Sequence, residues 1–263
     1  MIIGPEAISP ADLLGTFETS LWLPRYRGGT WGEWSMSVVL LPAGRGYWGA
    51  TYATLGSAVL RGPTHNGDAT WMSIVPMEVE SQEIGIAAAR GHTVILGLGM
   101  GWAAANVALN PNVDRVTVVE RDSDVVALIA DQGIFDQLPR EVRDKITIVR
   151  ADAFDWRPDA AVDSVQADIW AKIVEPRKWD DVRRLQANIG AASLYFWGQE
   201  MELYRLACRE AGAIPTSLSD ADIERLAAQT GLPLVLSPEP GTAARITAGA
   251  QWWTPKTEGW WDA

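Results

Sequence analysis

A run of glycines at a strand-to-helix junction constrains this chain more than any other feature. Val94-Ile95-Leu96 is a short apolar β-type run, and Gly97-Leu98-Gly99-Met100-Gly101 comes directly after it. Residues 102–109 are then small and apolar, as in a buried helix, until Asn110-Pro111 stops them. Glycines in such a turn let a ligand approach the backbone, and the N–H groups of the helix start point at it. A dinucleotide fingerprint needs one more glycine where Trp102 stands, which argues against a pyrophosphate on the helix start. A turn of this kind can also be purely structural, so its meaning depends on the rest of the chain.

From this turn onward, strands and helices alternate. Strands are expected at 93–96, 116–119, 146–149, 164–167, 192–196 and 232–236. Helices are expected at 102–109, from Asp122 or Ser123 to about Gln132, at 179–188, at 199–211, and from a cap at Asp220 to Gly231. Helical stretches between strands imply βαβ units, hence an α/β fold with a doubly wound, mostly parallel sheet. Before residue 75 the pattern differs. Short β-type runs at 37–41, 47–53 and 58–60 are separated by turn residues such as Pro42 to Gly46, which reads as a small antiparallel meander, while 25–30 reads as loop. The expected organisation is a β-rich region at 1–75, serving substrate or oligomer contacts, and a nucleoside-binding domain at 76–263 with a Trp-rich tail.

Composition excludes several function classes. Among 263 residues there are 22 Lys and Arg against 33 Asp and Glu, a formal charge of −11. Phosphate binding needs clustered cations, so no nucleic-acid partner is expected. One cysteine, Cys208, and two histidines, His65 and His92, leave no metal-ligand set and no internal disulfide. The start of the chain, with Glu6 and Asp12, shows no leader pattern, and there is no long apolar run; the expected address is the cytoplasm, without a membrane. The outlier is 14 Trp beside four Phe and five Tyr.

Several acidic residues fall at strand ends. Glu120 closes the second core strand, 21 positions after Gly99, where a carboxylate can accept from both hydroxyls of a ribose. Arg121 is next to it, Asp152 and Ala153 come just after the third strand, and Asp163 and Asp168 flank the fourth. Ligands of open parallel sheets sit beyond the carboxyl ends of the strands, so Gly97 to Gly101, Glu120, Asp152 and Asp168 are expected to share one cleft. Carboxylates converging there suit a ligand with several donors, or a cationic one.

With these residues in view, 92–205 resembles the nucleoside-binding core of the class I S-adenosylmethionine-dependent methyltransferases, and within them the spermidine-synthase-like branch. The resemblance implies a Rossmann-like sheet and S-adenosyl-L-methionine as cofactor. It places the amino-acid part of the cofactor on Gly97, Gly99, Met100 and Gly101, its ribose on Glu120 with Arg121 alongside, and its adenine amine on Asp152 and Ala153. Asp168 and Trp170 then face the transferred group. The chain departs from aminopropyl-transferring members in having Met100 where they carry an Asp, and Asp168-Ile169-Trp170-Ala171-Lys172 after the fourth strand. It departs from many methyltransferases in having Ile95 two places before the first Gly.

The expected activity is methyl transfer to a small-molecule acceptor, aromatic or cationic. Aminopropyl or another non-methyl transfer, and a catalytically inactive nucleoside binder, are the alternatives. Asp168 is the first choice for base or orienting carboxylate, with Glu78 and then Glu200 behind it. His65 is expected on a solvated loop and His92 in a structural role. Trp71, Trp102, Phe154, Trp170 and Trp197 are expected near the cleft, where aromatic faces can hold a cation or stack a planar acceptor. Trp252, Trp253, Trp260 and Trp261 are expected to form a lid or to seal a subunit contact, as in a homodimer.

Overall fold

The computed structural model describes residues 14–63 and 70–262. The expectations for His65 and for the first residues of the chain lie outside them. The N-terminal part is a four-stranded antiparallel sheet, in the order β1 (Gly29–Trp31), β2 (Trp34–Val39), β5 (Ser57–Arg61), β6 (Thr70–Ser73). A hairpin of β3 (Ala43–Arg45) and β4 (Thr51–Ala53) stands beside it. The meander is therefore real, but two segments expected as loop and turn, around Gly29 and Gly44, are strands. Their side chains are small or mixed, and it is pairing with β2 and β4 that makes them extended.

The main body is a five-stranded, all-parallel sheet. It contains β7 (Gly91–Leu96), β8 (Val113–Glu120), β9 (Ile146–Arg150), β10 (Ser164–Ala167) and β11 (Ser193–Phe196), in the order β11-β10-β7-β8-β9. Helices α1 (Pro76–Ala88), α2 (Trp102–Leu109), α3 (Ser123–Gln132), α4 (Arg140–Arg143), α5 (Lys178–Ile189), α6 (Gln199–Ala211), α7 (Asp220–Gln229) and α8 (Thr242–Trp253) surround it. This is the α/β, Rossmann-like, doubly wound architecture. The chain leaves β7 towards β8 and β9 on one side, then returns to build β10 and β11 on the other. The strand order thus reverses between β7 and β10, which makes their carboxyl ends the topological switch point where such sheets bind ligands.

Two apolar cores lie on opposite faces of the sheet. One joins Val94, Leu96, Val165 and Phe196 to α5, α6 and the tail; the other joins Ile95, Val116 and Val118 to α1, α2 and the N-terminal strands through Trp34, Met36 and Leu60. The second core packs the N-terminal sheet onto the α/β layer. Asp122 ties them further: one oxygen caps α3 through the Asp124 N–H (2.8 Å), and the other accepts from the Trp34 indole (2.8 Å).

Two differences from the expected elements have clear causes. Residues 232–236 form only an isolated bridge, Leu194 to Leu234. The Leu194 N–H donates to the Pro233 carbonyl and Val235 to that of Leu194, but Pro233 has no N–H with which to extend the ladder. Helix α1 escapes sequence periodicity because it is buried on several sides at once: Glu78, Val79, Glu80, Ser81, Gln82, Gly85 and Ile86 are all covered. Pro76 at its first turn is the local signal for its start.

Candidate functional site

Two small adjoining cavities open at the switch point and share Trp71, Gly97, Gly99 and Asp168 in their walls. The strand-end residues named from sequence divide between them.

The first cavity is walled by Glu120, Arg121, Asp152, Ala153 and Phe154. Glu120 Oε2 accepts from the Leu98 N–H (2.9 Å), and Oε1 accepts from the Asp122 N–H (2.8 Å). Glu120 therefore braces the glycine turn. A carboxylate has about four acceptor positions, so about two remain for a ligand diol. Asp152 Oδ1 closes an Asx turn by accepting from the Phe154 N–H (2.8 Å). Its Oδ2 lies 3.9 Å from Arg121, and both side chains are well exposed, so this pair is a weak, solvated one.

The turn contributes Gly97, Leu98 and Gly99 to the cavity walls, while Met100 and Gly101 line neither. The Met100 side chain is fully buried in the second core, and what it leaves at the turn is backbone: its N–H points at Met72 Sδ (3.2 Å), and its carbonyl accepts from the Tyr26 hydroxyl (2.9 Å). Gly101 packs towards Ile129 and Ile134 at the start of α2. Gly97 has φ +95°, and a Cβ there would collide with the Asp168 carbonyl oxygen. No other residue lets β7 and β10 end so close together.

The second cavity holds Glu78 and Gln82 from α1, Gln166 and Asp168 from β10 and its end, and four indoles: Trp71, Trp102, Trp170 and Trp197. Gln166 Nε2 donates to Gln82 Oε1 (2.5 Å), and Gln82 Nε2 donates to Asp168 Oδ2 (2.8 Å). The chain of amides orients one oxygen of Asp168, a residue that lines both cavities. Burial pushes the Asp168 carboxyl up to about 6, against the opposing pull of the Lys178 ammonium and the Gln82 bond. Glu78, nearly inaccessible, has no side-chain hydrogen bond among the described residues, and burial together with the Asp168 charge holds it well above the ordinary carboxyl range.

Gln82 and Gln166 in the cavity wall, and Lys178 against the Trp170 and Trp197 rings, escape sequence reading. Gln82 is four residues from Glu78 and so shares its helix face once α1 is known. Lys178 carries no local signal. It is fully buried, and its ammonium donates to the carbonyls of Lys172 (2.7 Å), Ile173 (2.8 Å) and Trp197 (3.3 Å). It also sits over the rings of Trp170 (4.9 Å) and Trp197 (5.3 Å), so one face of each indole is already taken by a protein cation.

Other expected residues lie elsewhere. Glu200 lines neither cavity; it is buried against Tyr47 (3.0 Å) and Tyr195 (3.2 Å). The ring nitrogens of His92 lie 2.9 Å from the Ala161 carbonyl and the Thr117 hydroxyl, away from both cavities. The Trp-rich tail is no lid in this structure. Trp252 stacks on Arg45 (3.4 Å), Trp253 donates to the Tyr47 carbonyl (2.8 Å), and Trp260 and Trp261 are buried beside α6, where Arg209 donates to the Trp261 carbonyl (2.8 Å). The tail fastens the β3–β4 hairpin to the α/β layer, with α8 packed against both the hairpin turn at Tyr47 and Gly49 and helix α6. Among the described residues no His, Cys, Asp and Glu cluster could hold a metal ion, and no helix is long and apolar enough to cross a membrane.

No family model matches the chain. A polyamine aminopropyltransferase of Leptospira interrogans is 35% identical over 65 residues, which is 24% of this chain and 13% of that protein, so the match spans a small part of its relative. Among solved structures, a complex of DhpI with SAH is 21% identical and covers 43% of this chain and 51% of that one, with a TM-score of 0.32. A putative methyltransferase from Thermoplasma acidophilum is 25% identical over 40% of this chain and 42% of its own, with a TM-score of 0.31. The glycopeptide N-methyltransferase MtfA with S-adenosyl-L-homocysteine is 22% identical over 42% and 41%, with a TM-score of 0.33.

Proposed function

We propose that this chain is an S-adenosyl-L-methionine-dependent methyltransferase acting on a small-molecule acceptor. The observation that carries this reading is the pair of joined cavities at the β7–β10 switch point. One is lined by Glu120, Asp152 and Ala153, the other by Asp168 and Glu78, and the Gly97–Gly99 backbone lies between. The donor set fits the cofactor. Glu120 retains acceptor positions for the ribose hydroxyls, Asp152 and the Ala153 backbone suit the adenine amine, and the turn glycines admit the amino-acid part.

When bound, the cofactor supplies a methyl carbon on a good, positively charged leaving group. The remaining work is alignment, exclusion of water and removal of a proton from the acceptor. In this reading Asp168 takes that proton on Oδ1, since Oδ2 already accepts from Gln82. With a value of about 6 it is mostly ionised at neutral pH yet basic enough to take a proton. The indole wall of Trp71, Trp102, Trp170 and Trp197 excludes water. Methyl transfer is favoured over aminopropyl transfer because Met100, standing where a turn carboxylate would hold a propylammonium, points into the core.

Calorimetry with S-adenosyl-L-methionine, S-adenosyl-L-homocysteine and the decarboxylated cofactor tests the reading. Binding of the first two is expected; binding of none overturns it, and binding of the decarboxylated form alone moves it to aminopropyl transfer. Replacing Glu120 by Ala should weaken binding by about 1–3 kcal/mol, through loss of hydrogen bonds to a charged acceptor.

A further inference from the structure

We propose that Met72 is a specificity-determining residue that holds the seat of the cofactor's amino-acid part until a ligand carrying that part displaces it. Under the methyltransferase reading on which it rests, the amino-acid part lies on the glycine turn. Ligands with the amino-acid chain then have to move Met72, and plain nucleosides do not.

A bulge puts Met72 in this place. Leu60 of β5 pairs with Met72 and Arg61 with Thr70, so Trp71 is an extra residue on β6. In a regular strand the side chains of Trp71 and Met72 would point to opposite faces. With the extra residue, both reach the wall of the second cavity. The two are held differently. Trp71 packs edge-on against Trp34, with ring centroids 5.7 Å apart, and the Trp34 indole is tied to Asp122 (2.8 Å). Met72 has a softer hold: among the described residues, the one hydrogen bond to its Sδ comes from the Met100 N–H (3.2 Å).

Met72 lies directly on the turn. Its Sδ is 2.5 Å, and its methyl carbon 3.3 Å, from where a Cβ on Gly99 would stand. Only a hydrogen at Gly99 leaves room for it. The Met100 N–H that points at the sulfur stands just before α2, at the positive end of its dipole. A thioether is a weak acceptor for such a donor. A hydrogen bond to an anionic oxygen is roughly twice as strong as a neutral one, so a ligand carboxylate outcompetes the sulfur. The Met side chain has three rotatable bonds and can swing away without a change in the β6 backbone.

The first cavity does not involve this residue. Glu120, Asp152 and Ala153 wall it, and Met72 is not in its lining. A nucleoside without the amino-acid chain can therefore enter with Met72 in place. A ligand that spans both cavities cannot, because Met72 covers Gly99, which the two share.

The test is NMR of the full chain with carbon-13 methionine methyls, without ligand, with adenosine and with S-adenosyl-L-homocysteine. The nuclear Overhauser contact between the Met72 methyl and the Gly99 α-protons should be present in the first two states and lost in the third. Its absence from the free protein, or its persistence at saturating S-adenosyl-L-homocysteine, overturns the proposal. Calorimetry on Met72→Ala gives a second measure. Affinity for S-adenosyl-L-homocysteine should rise about tenfold, since one side-chain contact no longer has to be broken, while that for adenosine stays within about twofold. An unchanged or lower affinity for S-adenosyl-L-homocysteine, or an equal rise for adenosine, overturns the proposal. If this variant does not fold, the wild-type spectra decide. S-adenosyl-L-homocysteine that binds neither protein overturns the methyltransferase reading itself. Binding with the Met72–Gly99 contact intact overturns only the role given to Met72.

Discussion

Replacing Glu200 by Gln isolates one buried proton. Glu200 is almost wholly covered, at 2% exposure, behind the sheet end. The Tyr47 hydroxyl donates to its Oε2 (3.0 Å), and Tyr195 oxygen lies 3.2 Å from the same atom. The single proton of Tyr195 is better placed on the Ser81 carbonyl, at 2.6 Å. The contact from Glu200 to Tyr195 is then best made by a proton on Glu200 itself. Burial pushes this carboxyl to about 7 from an ordinary 4.5, the two tyrosines pulling back only in part. The folded value is raised, so the group's favourable contribution is full below pH 4.5 and is lost as pH rises through 7. The step from 4.5 to about 7, at ~1.36 kcal/mol per pH unit, gives roughly 3 kcal/mol across that window. The amide of the Glu200→Gln variant cannot ionise and does not carry this loss. Urea unfolding followed by Trp fluorescence, run at about pH 4 and about pH 8, should show the variant gaining about 3 kcal/mol on the wild type between the two. Asp168, Glu78, Glu83 and Glu202 are raised too, so the wild-type curve alone is not diagnostic and the difference between the two proteins is. A difference that stays constant between the two pH values refutes the reasoning.

Two further substitutions probe the frame of the site. Gly97→Ala should destabilise by several kcal/mol, since φ is +95° and the new methyl meets the Asp168 carbonyl; thermal unfolding close to wild type would contradict the close approach of β7 to β10. Trp253→Phe should cost about 1 kcal/mol through loss of the bond to the Tyr47 carbonyl, with cofactor affinity by calorimetry unchanged; a large loss of affinity would return the tail to the cleft.

Much of the site was legible because its residues are tied to strand ends. Gly97, Glu120, Asp152 and Asp168 each lie at or just after the carboxyl end of a parallel strand, and such strands point those ends at one cleft. The residues that escaped share one property: their roles come from another element. Gln82 sits on a helix whose buried faces carry polar residues, so its pattern is hidden. Lys178 takes two carbonyls from the loop just before it, Lys172 and Ile173, and only the pairing of β10 with β11 brings it the third, that of Trp197. Met100 is expected at the cofactor through the resemblance, and only the fold shows that its side chain lies in the second core.

The 14 Trp show the same boundary. Sequence alone determined that the chain is α/β, where the parallel strands lie, and which acidic residues close them, because period and turn chemistry act over a few residues. Tertiary structure alone decided which indoles face the cavity, which are backed by Lys178, and which clasp the hairpin far from it. An indole is apolar and large in every one of these places, and its neighbours, distant in sequence, are what tell them apart.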